Sequence, residues 1–142
     1  MKDKRQRQAG FTLIELMVVL FILGLLAMLV APRLMGRVGK AKINTAQTQI
    51  QMLATALDLF HLDVGRYPTD EEGLKVLYSK PENLPSWSGP YLDKPTPKDP
   101  WGRDYVYKNP GEHGPYDLSS LGADGQAGGE GENLDITNWR AE

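Results

Sequence analysis

Gly10-Phe11-Thr12-Leu13-Ile14-Glu15 joins a basic leader to an apolar run that carries a carboxylate almost at its start. From Phe11 to Val30 only Thr12 and Glu15 are polar. Continued to Ala31 as a helix, the run is roughly 31 Å long at about 1.5 Å per residue. A bilayer core is about 30 Å thick, so residues 11–31 are expected to span a membrane. An ionised glutamate at membrane depth costs roughly 2.5 to 3.5 kcal/mol even on the mildest scales and usually has a partner. Glu15 either finds one or lies close enough to the surface to reach headgroups, and position alone leaves both open.

Met1 to Gly10 carries Lys2, Lys4, Arg5 and Arg7 against one acid, Asp3, as the n-region of an export signal does. The far end of the run reads Leu29-Val30-Ala31-Pro32. A large residue three positions before the cut and a proline after it argue against signal peptidase cleavage there. The junction instead resembles the processing site of the type IV pilin superfamily, which includes the pseudopilins of type II secretion. The resemblance implies that residues 1–10 are a leader, that a prepilin peptidase cuts between Gly10 and Phe11 on the cytoplasmic side, and that the new Phe11 amine is N-methylated. The apolar helix stays attached.

Processing gives Glu15 a physical role. A free amine on Phe11 is a positive charge at a helix N-terminus, where backbone N–H groups are unsatisfied and the macrodipole favours an anion. Glu15 of a subunit already in a fibre is expected to pair with the Phe11 amine of the incoming one, so that assembly neutralises both charges.

The rest of the chain suits an anchored, exported subunit. Of 142 residues, roughly 80 follow the long helix, enough for one small head with a limited core. The chain contains no cysteine, which excludes disulfides, thiolate metal sites and thiol nucleophiles. A small head without disulfides needs another staple. Removing the leader, with four basic residues and one acid, takes the formal charge from −2 to −5. Arg33, Arg37, Lys40 and Lys42 form a basic block, while from Glu112 onward seven acids face only Arg140. Such asymmetry suits head-to-tail contact between identical subunits, which propagates as a filament when it does not close. Solvated faces give the same pattern. Four Lys/Arg on each side of the apolar run leave the positive-inside rule indecisive. The basic block lacks interleaved aromatics and is too short to build a groove, so no nucleic-acid partner is expected.

Pro32 has no N–H to give the carbonyl of Met28, so the helix is expected either to be interrupted there or to tolerate the proline as a kink, and to continue as an amphipathic helix over residues 32–62. Ile43, Ala46, Ile50, Leu53, Leu57 and Phe60 recur at spacings of 3 and 4 and form an apolar stripe on which the head packs, widened by Met52, Ala56 and Leu59. Gly65 and Pro68 end it. Thr69-Asp70-Glu71-Glu72 reads as a capping box opening a short helix through Leu74 and Leu77. Six prolines between Lys80 and Pro100 predict an irregular loop. Asp99-Pro100-Trp101-Gly102 predicts a turn that lays Trp101 over the core. Two strands, Asp104 to Lys108 and Tyr116 to Leu121, are expected around a hairpin loop from Asn109 to Gly114.

Leu121-Gly122-Ala123-Asp124-Gly125 leads through a glycine-rich acidic stretch to Asn133-Leu134-Asp135-Ile136. Hard oxygen ligands on a flexible loop are what calcium takes, though the spacing is not that of an EF-hand. On composition alone a solvated acidic loop is the simpler reading. Asp99-Pro100-Trp101-Gly102, Ser120 to Gly125 and Asp135-Ile136-Thr137-Asn138-Trp139 also resemble the head motifs of the major pseudopilins of type II secretion. That resemblance implies calcium as cofactor, with Asp124 and Asp135 as side-chain ligands and Leu121 giving its carbonyl. Asn133 stands where relatives often carry aspartate, and Glu130, Glu132 and nearby carbonyls are candidates for the remaining shell. An ion would then replace the missing staple, and Trp139 would pack the ordered tail against the head.

His61 and His113 lie outside any Ser-His-Asp, HExxH or phosphate-loop pattern, so no enzyme is expected. The expected fold is α+β, a long N-terminal helix packed on a small antiparallel head (residues 63–142) with a calcium-binding loop, pilin-like. The resemblance implies the major subunit of a periplasmic pseudopilus that polymerises to drive export of folded proteins across the outer membrane. It further implies a single-pass inner-membrane anchor with cytoplasmic N-terminus and periplasmic head. The implied partners are its own copies, minor pseudopilins, the prepilin peptidase, the assembly platform and membrane lipid. A type IV pilin subunit and a membrane-tethered calcium-binding domain are the alternatives.

Overall fold

Thr12 and Glu15 open the main element, helix α1, which spans Leu13–Val64. The structure, a computed structural model, describes residues 10–139, without the side chains of residues 31–35. The leader charges, Arg140 and the side chain of Arg33 therefore lie outside the described residues. By contacts the chain forms two compact units, Met1–Arg37 and Val38–Glu142.

The backbone is helical through position 32, so of the two readings of Pro32 the tolerated proline holds and the interruption does not occur. A proline removes one hydrogen bond from a ladder. In a helix of 52 residues with strong formers on both sides, that loss does not end the element. The helix stops at Val64 because Gly65 takes the left-handed conformation (φ 83°) and gives its N–H to the His61 carbonyl at 2.8 Å.

The expected stripe forms the core of the second unit. Ala46, Ile50, Leu53, Leu57 and Phe60 are buried with Ala56, and Ile43 packs at their edge. Met52 and Leu59 do not widen it: they are 44% and 47% exposed and face outward. They belong to a second line, Val38, Ala41, Thr45, Thr48, Met52, Thr55, Leu59 and Leu62, spaced 3, 4, 3, 4, 3, 4, 3 and exposed throughout. This line carries no charge. Thr45, Thr48 and Thr55 turn their hydroxyls back to the carbonyls of Ala41, Asn44 and Gln51 at 2.9–3.0 Å, which satisfies the oxygens within the helix.

The expected capping box is present. Glu72 accepts the Thr69 N–H at 2.8 Å, and Thr69 Oγ1 accepts the Glu72 N–H at 3.3 Å. The element that follows is a 3-10 helix, Gly73–Leu77, which buries Val76 and Leu77 against the stripe. Arg66 adds a two-pronged ion pair to Glu72 at 2.7 and 2.8 Å. That bond, assisted by the Thr69 cap and opposed by burial, holds the Glu72 carboxyl down to about 2 from its ordinary 4.5. A depressed folded-state value means stability present above pH 4.5 and lost as the pH falls toward 2. We therefore expect the acid limb of the head's thermal stability to flatten in this window in Glu72→Gln, measured by melting curves. An unchanged acid limb would remove this group from the balance.

The sheet has order β1-β2-β3, all antiparallel: β1 Val106–Lys108, β2 Asp117–Ser120 and β3 Ile136–Thr137. Val106 pairs with Ser119 and Lys108 with Asp117, while Ser120 pairs with Ile136. The first two strands are trimmed versions of those expected, and the hairpin loop lies between them. The Asp117 carboxylate holds that loop by accepting the N–H groups of Glu112 and His113 at 2.9 and 3.1 Å. β3 was not anticipated as a strand. Leu118 and Ile136 bring β2 and β3 into the helix-built core, and Trp101 packs at its edge as expected.

Candidate functional site

Two places in the chain carry the chemistry that the sequence singles out. At the first, Gly10 is exposed and Phe11 is 94% exposed at the threshold of α1. The Glu15 carboxylate accepts the Thr12 N–H at 2.8 Å and the Thr12 hydroxyl at 3.1 Å, while Thr12 Oγ1 accepts the Glu15 N–H at 3.2 Å. This is a second capping box. Within one chain Glu15 is thus occupied by its own helix start rather than left without any partner. The span Leu13–Val30 that contains Glu15 has mean hydropathy 2.9, is wholly exposed within the chain, and is long and apolar enough to cross a membrane. Phe11, Ile14, Val18 and Val19 surround Glu15 in an open hollow of about 380 Å³.

The second place is the loop between β2 and β3. Its two arms are brought together by the Ala123 N–H, which reaches the Glu132 carbonyl at 2.8 Å. Gly122 (φ 61°) and Gly129 (φ 99°) lie so close to Asn133 that a Cβ on either would stand 2.6–2.8 Å from its backbone or from the Glu132 carbonyl. Leu121, Asn133 and their neighbours therefore share one compact turn. Asp135 Oδ2 accepts the Gly128 N–H at 2.8 Å, and its Oδ1 is buried without a hydrogen-bond partner. Asp124, more exposed, accepts the Gln126 N–H at 3.1 Å. The Leu121 carbonyl accepts the Gly125 N–H at 3.1 Å and keeps a second lone pair.

A buried carboxylate oxygen with no donor fits a hard cation, because an unpaired polar atom away from water is costly and an ion relieves it. Among the described residues no three His, Asp or Glu side chains gather as a metal cage. A site here would thus use two carboxylates, Asn133 and backbone carbonyls. The loop also meets α1, where the Glu132 side chain fills the space that a Cβ on Gly39 would take.

Residues 33–139 match the family model described as Type II secretion system (T2SS), protein G. The chain belongs to that family. Residues 5–31 match the model described as a prokaryotic N-terminal methylation motif. Among relatives, the type II secretion system core protein G of Vibrio cholerae is 49% identical over 142 residues, covering 98% of this chain and 97% of that protein. The Pseudomonas aeruginosa protein of the same name is 48% identical over 139 residues, covering 96% and 98%. The crystal structure of the major pseudopilin from the type 2 secretion system of enterohaemorrhagic Escherichia coli aligns with TM-score 0.62 and 39% identity, covering 76% of this chain and 95% of that one.

Membership of the protein G family decides between the pilin and pseudopilin branches and makes the chain a structural pseudopilin. Three features of this pseudopilin escaped the sequence reading. The Thr12–Glu15 capping box was legible, since Thr-x-x-Glu before an apolar run is the pattern already recognised at Thr69. The Gly39–Glu132 approach left no signal, because a glycine within a helix does not announce what comes near it. Asn138 carries no signal in the sequence beyond its place in a motif. Its side-chain oxygen takes the Leu118 N–H at 2.7 Å and its own N–H meets the Leu118 carbonyl at 3.0 Å, which extends β2's pairing into the tail. Beyond it, Trp139 stacks on His113 with ring centroids 4.2 Å apart, the expected anchoring of the tail.

Proposed function

We infer that this protein is the major building block of a type II secretion pseudopilus, anchored in the inner membrane by α1 and polymerised from it. The observation that carries this reading is α1 itself. Its 18-residue span Leu13–Val30, apolar but for the capping glutamate Glu15, stands exposed, and further along it shows an uncharged outer face. A simple tether needs the apolar length but neither the glutamate nor the outer line.

In this reading a prepilin peptidase cuts between Gly10 and Phe11 and methylates the Phe11 amine, leaving the N-terminus cytoplasmic until extraction and the head periplasmic. The growing base accepts each incoming subunit through Glu15 and the Phe11 amine, and the inner-membrane platform, minor pseudopilins and surrounding lipid are its other partners. Polymerisation then pushes folded cargo across the outer membrane. Calcium, held by Asp124, Asp135, the Leu121 carbonyl and Asn133, supplies the staple that cysteines cannot.

The outer line of α1 gives a direct test. A 3–4 spacing is the period of a helix-to-helix seam, and threonines whose hydroxyls are already bonded offer methyl groups. Burying a charge there has no compensation. Met52→Asp is expected to reduce sedimentable filaments at least about tenfold, the equivalent of about 1.4 kcal/mol per contact. The neighbouring exposed Gln51→Asp should leave them near the unaltered level. Equal yields from both variants would mean that the outer line makes no contact in the filament.

A further inference from the structure

The turn at residues 99–103 is fastened to the start of the glycine-rich loop by contacts that the expected ligand set does not include. Asp99 is only 4% exposed. Its Oδ1 accepts the N–H groups of Trp101 and Arg103 at 3.1 and 2.8 Å, and its Oδ2 accepts the Ser120 hydroxyl at 2.6 Å. Ser120 closes β2 and directly precedes Leu121. The turn is therefore fixed to the strand end from which the loop departs.

From this base the half-buried Arg103 side chain reaches across the loop. Its Nη1 donates to the carbonyls of Gly122 and Ala123 at 2.9 and 2.8 Å. A Cβ on Gly125 would stand 2.5 Å from its Nε, so the guanidinium also lies directly against that residue. One cation thus gathers residues 122, 123 and 125. Bonds from an ionised donor are roughly twice as strong as neutral ones, and the planar guanidinium loses less freedom in making them than an ammonium does.

We propose that Arg103 is a positioning residue for cation binding by this loop. By engaging the Gly122 and Ala123 carbonyls, it shapes the turn before an ion arrives and leaves the Leu121 carbonyl and the Asp124 carboxylate as the groups the turn offers. The proposal rests on the calcium reading of the loop. A role through charge alone has the opposite sign, since a fixed positive charge near the ion repels it and its removal would tighten binding.

The test uses the full chain in detergent, with calcium alone as the probe, comparing the wild type with Arg103→Met and Arg103→Lys. Calorimetry reads the affinity, and hydrogen exchange under chelation reads the metal-free loop. Expected are affinity at least tenfold weaker in Arg103→Met, an intermediate value in Arg103→Lys, and at least tenfold faster exchange at residues 122–125 in Arg103→Met. Exchange at Leu53–Phe60 should match the wild type, which certifies the fold. Unchanged or tighter calcium binding by Arg103→Met, or unchanged loop exchange, overturns the proposal. A wild type that binds no calcium overturns the calcium reading itself, and the proposal with it. If Arg103→Met loosens the helix as well, Arg103→Lys alone decides, and wild-type affinity and loop exchange there overturn the proposal.

Discussion

Glu15→Leu is expected to leave a chain that still inserts in the membrane but forms filaments at least about a hundredfold less well. Breaking a desolvated charge pair by removing one member costs roughly 3–5 kcal/mol, because the other charge stays buried and alone. In the structure Glu15 already caps its own helix through Thr12, so pairing between subunits would have to share the side chain with the cap. Glu15→Gln separates them. The amide oxygen can still accept the Thr12 N–H, but it carries no charge for the Phe11 amine of a neighbour. If pairing between subunits is the main role, Gln assembles as poorly as Leu. If the cap suffices, Gln assembles normally and Leu loses only about 1 kcal/mol of helix start. Filament pelleting alongside membrane extraction reads both, and normal assembly by Glu15→Leu would end the pairing hypothesis.

Calcium withdrawal is expected to give the second large effect. At a hundred times its dissociation constant, an ion bound only to the folded state adds about 2.7 kcal/mol. For a domain of this size each kcal/mol moves the melting midpoint by about 4–8 °C. Chelation should therefore lower the head's midpoint by roughly 10–20 °C. Asp135→Ala should be insensitive to calcium, since it removes the carboxylate whose Oδ1 is buried and unpartnered. The comparison within the variant matters, because Asp135 also holds the Gly128 N–H. A wild-type melting curve identical with calcium and with chelator would contradict the staple.

The features legible in the sequence are those that repeat or act locally. Six apolar positions at helical spacing announced the stripe that Ile50, Leu53, Leu57 and Phe60 bury, and Gly65 announced the helix end. Thr69 and Glu72 announced their own box. The same pattern at Thr12 and Glu15 is masked by its setting, since an acid in an apolar run points first to a partner elsewhere. Apolarity does not say which of two adjacent helical lines faces the head, so Met52 and Leu59 read as core residues although they face outward. Pro32 leaves two readings open in the sequence, and the length of the helix around it decides for the tolerated one. β3 has two residues, too few for any periodicity, and exists because β2 offers it an edge.

The candidate loop was legible in composition but not in arrangement. Acids and glycines between Leu121 and Asp135 signal an oxygen-rich turn, yet nothing local links Arg103 to Gly122 or Glu132 to Gly39. Those are meetings of segments distant in sequence, and they exist only once the strands and the helix have closed the head.

Whether a leader is removed at Gly10 while the helix is kept is read most directly from the intact mass and N-terminal sequence of the protein recovered from membranes. The expected species begins at Phe11, carries one N-methyl group and retains residues 11–31. A chain that still begins at Met1, or one that begins after Ala31, would contradict a filament subunit polymerised through its processed N-terminal helix.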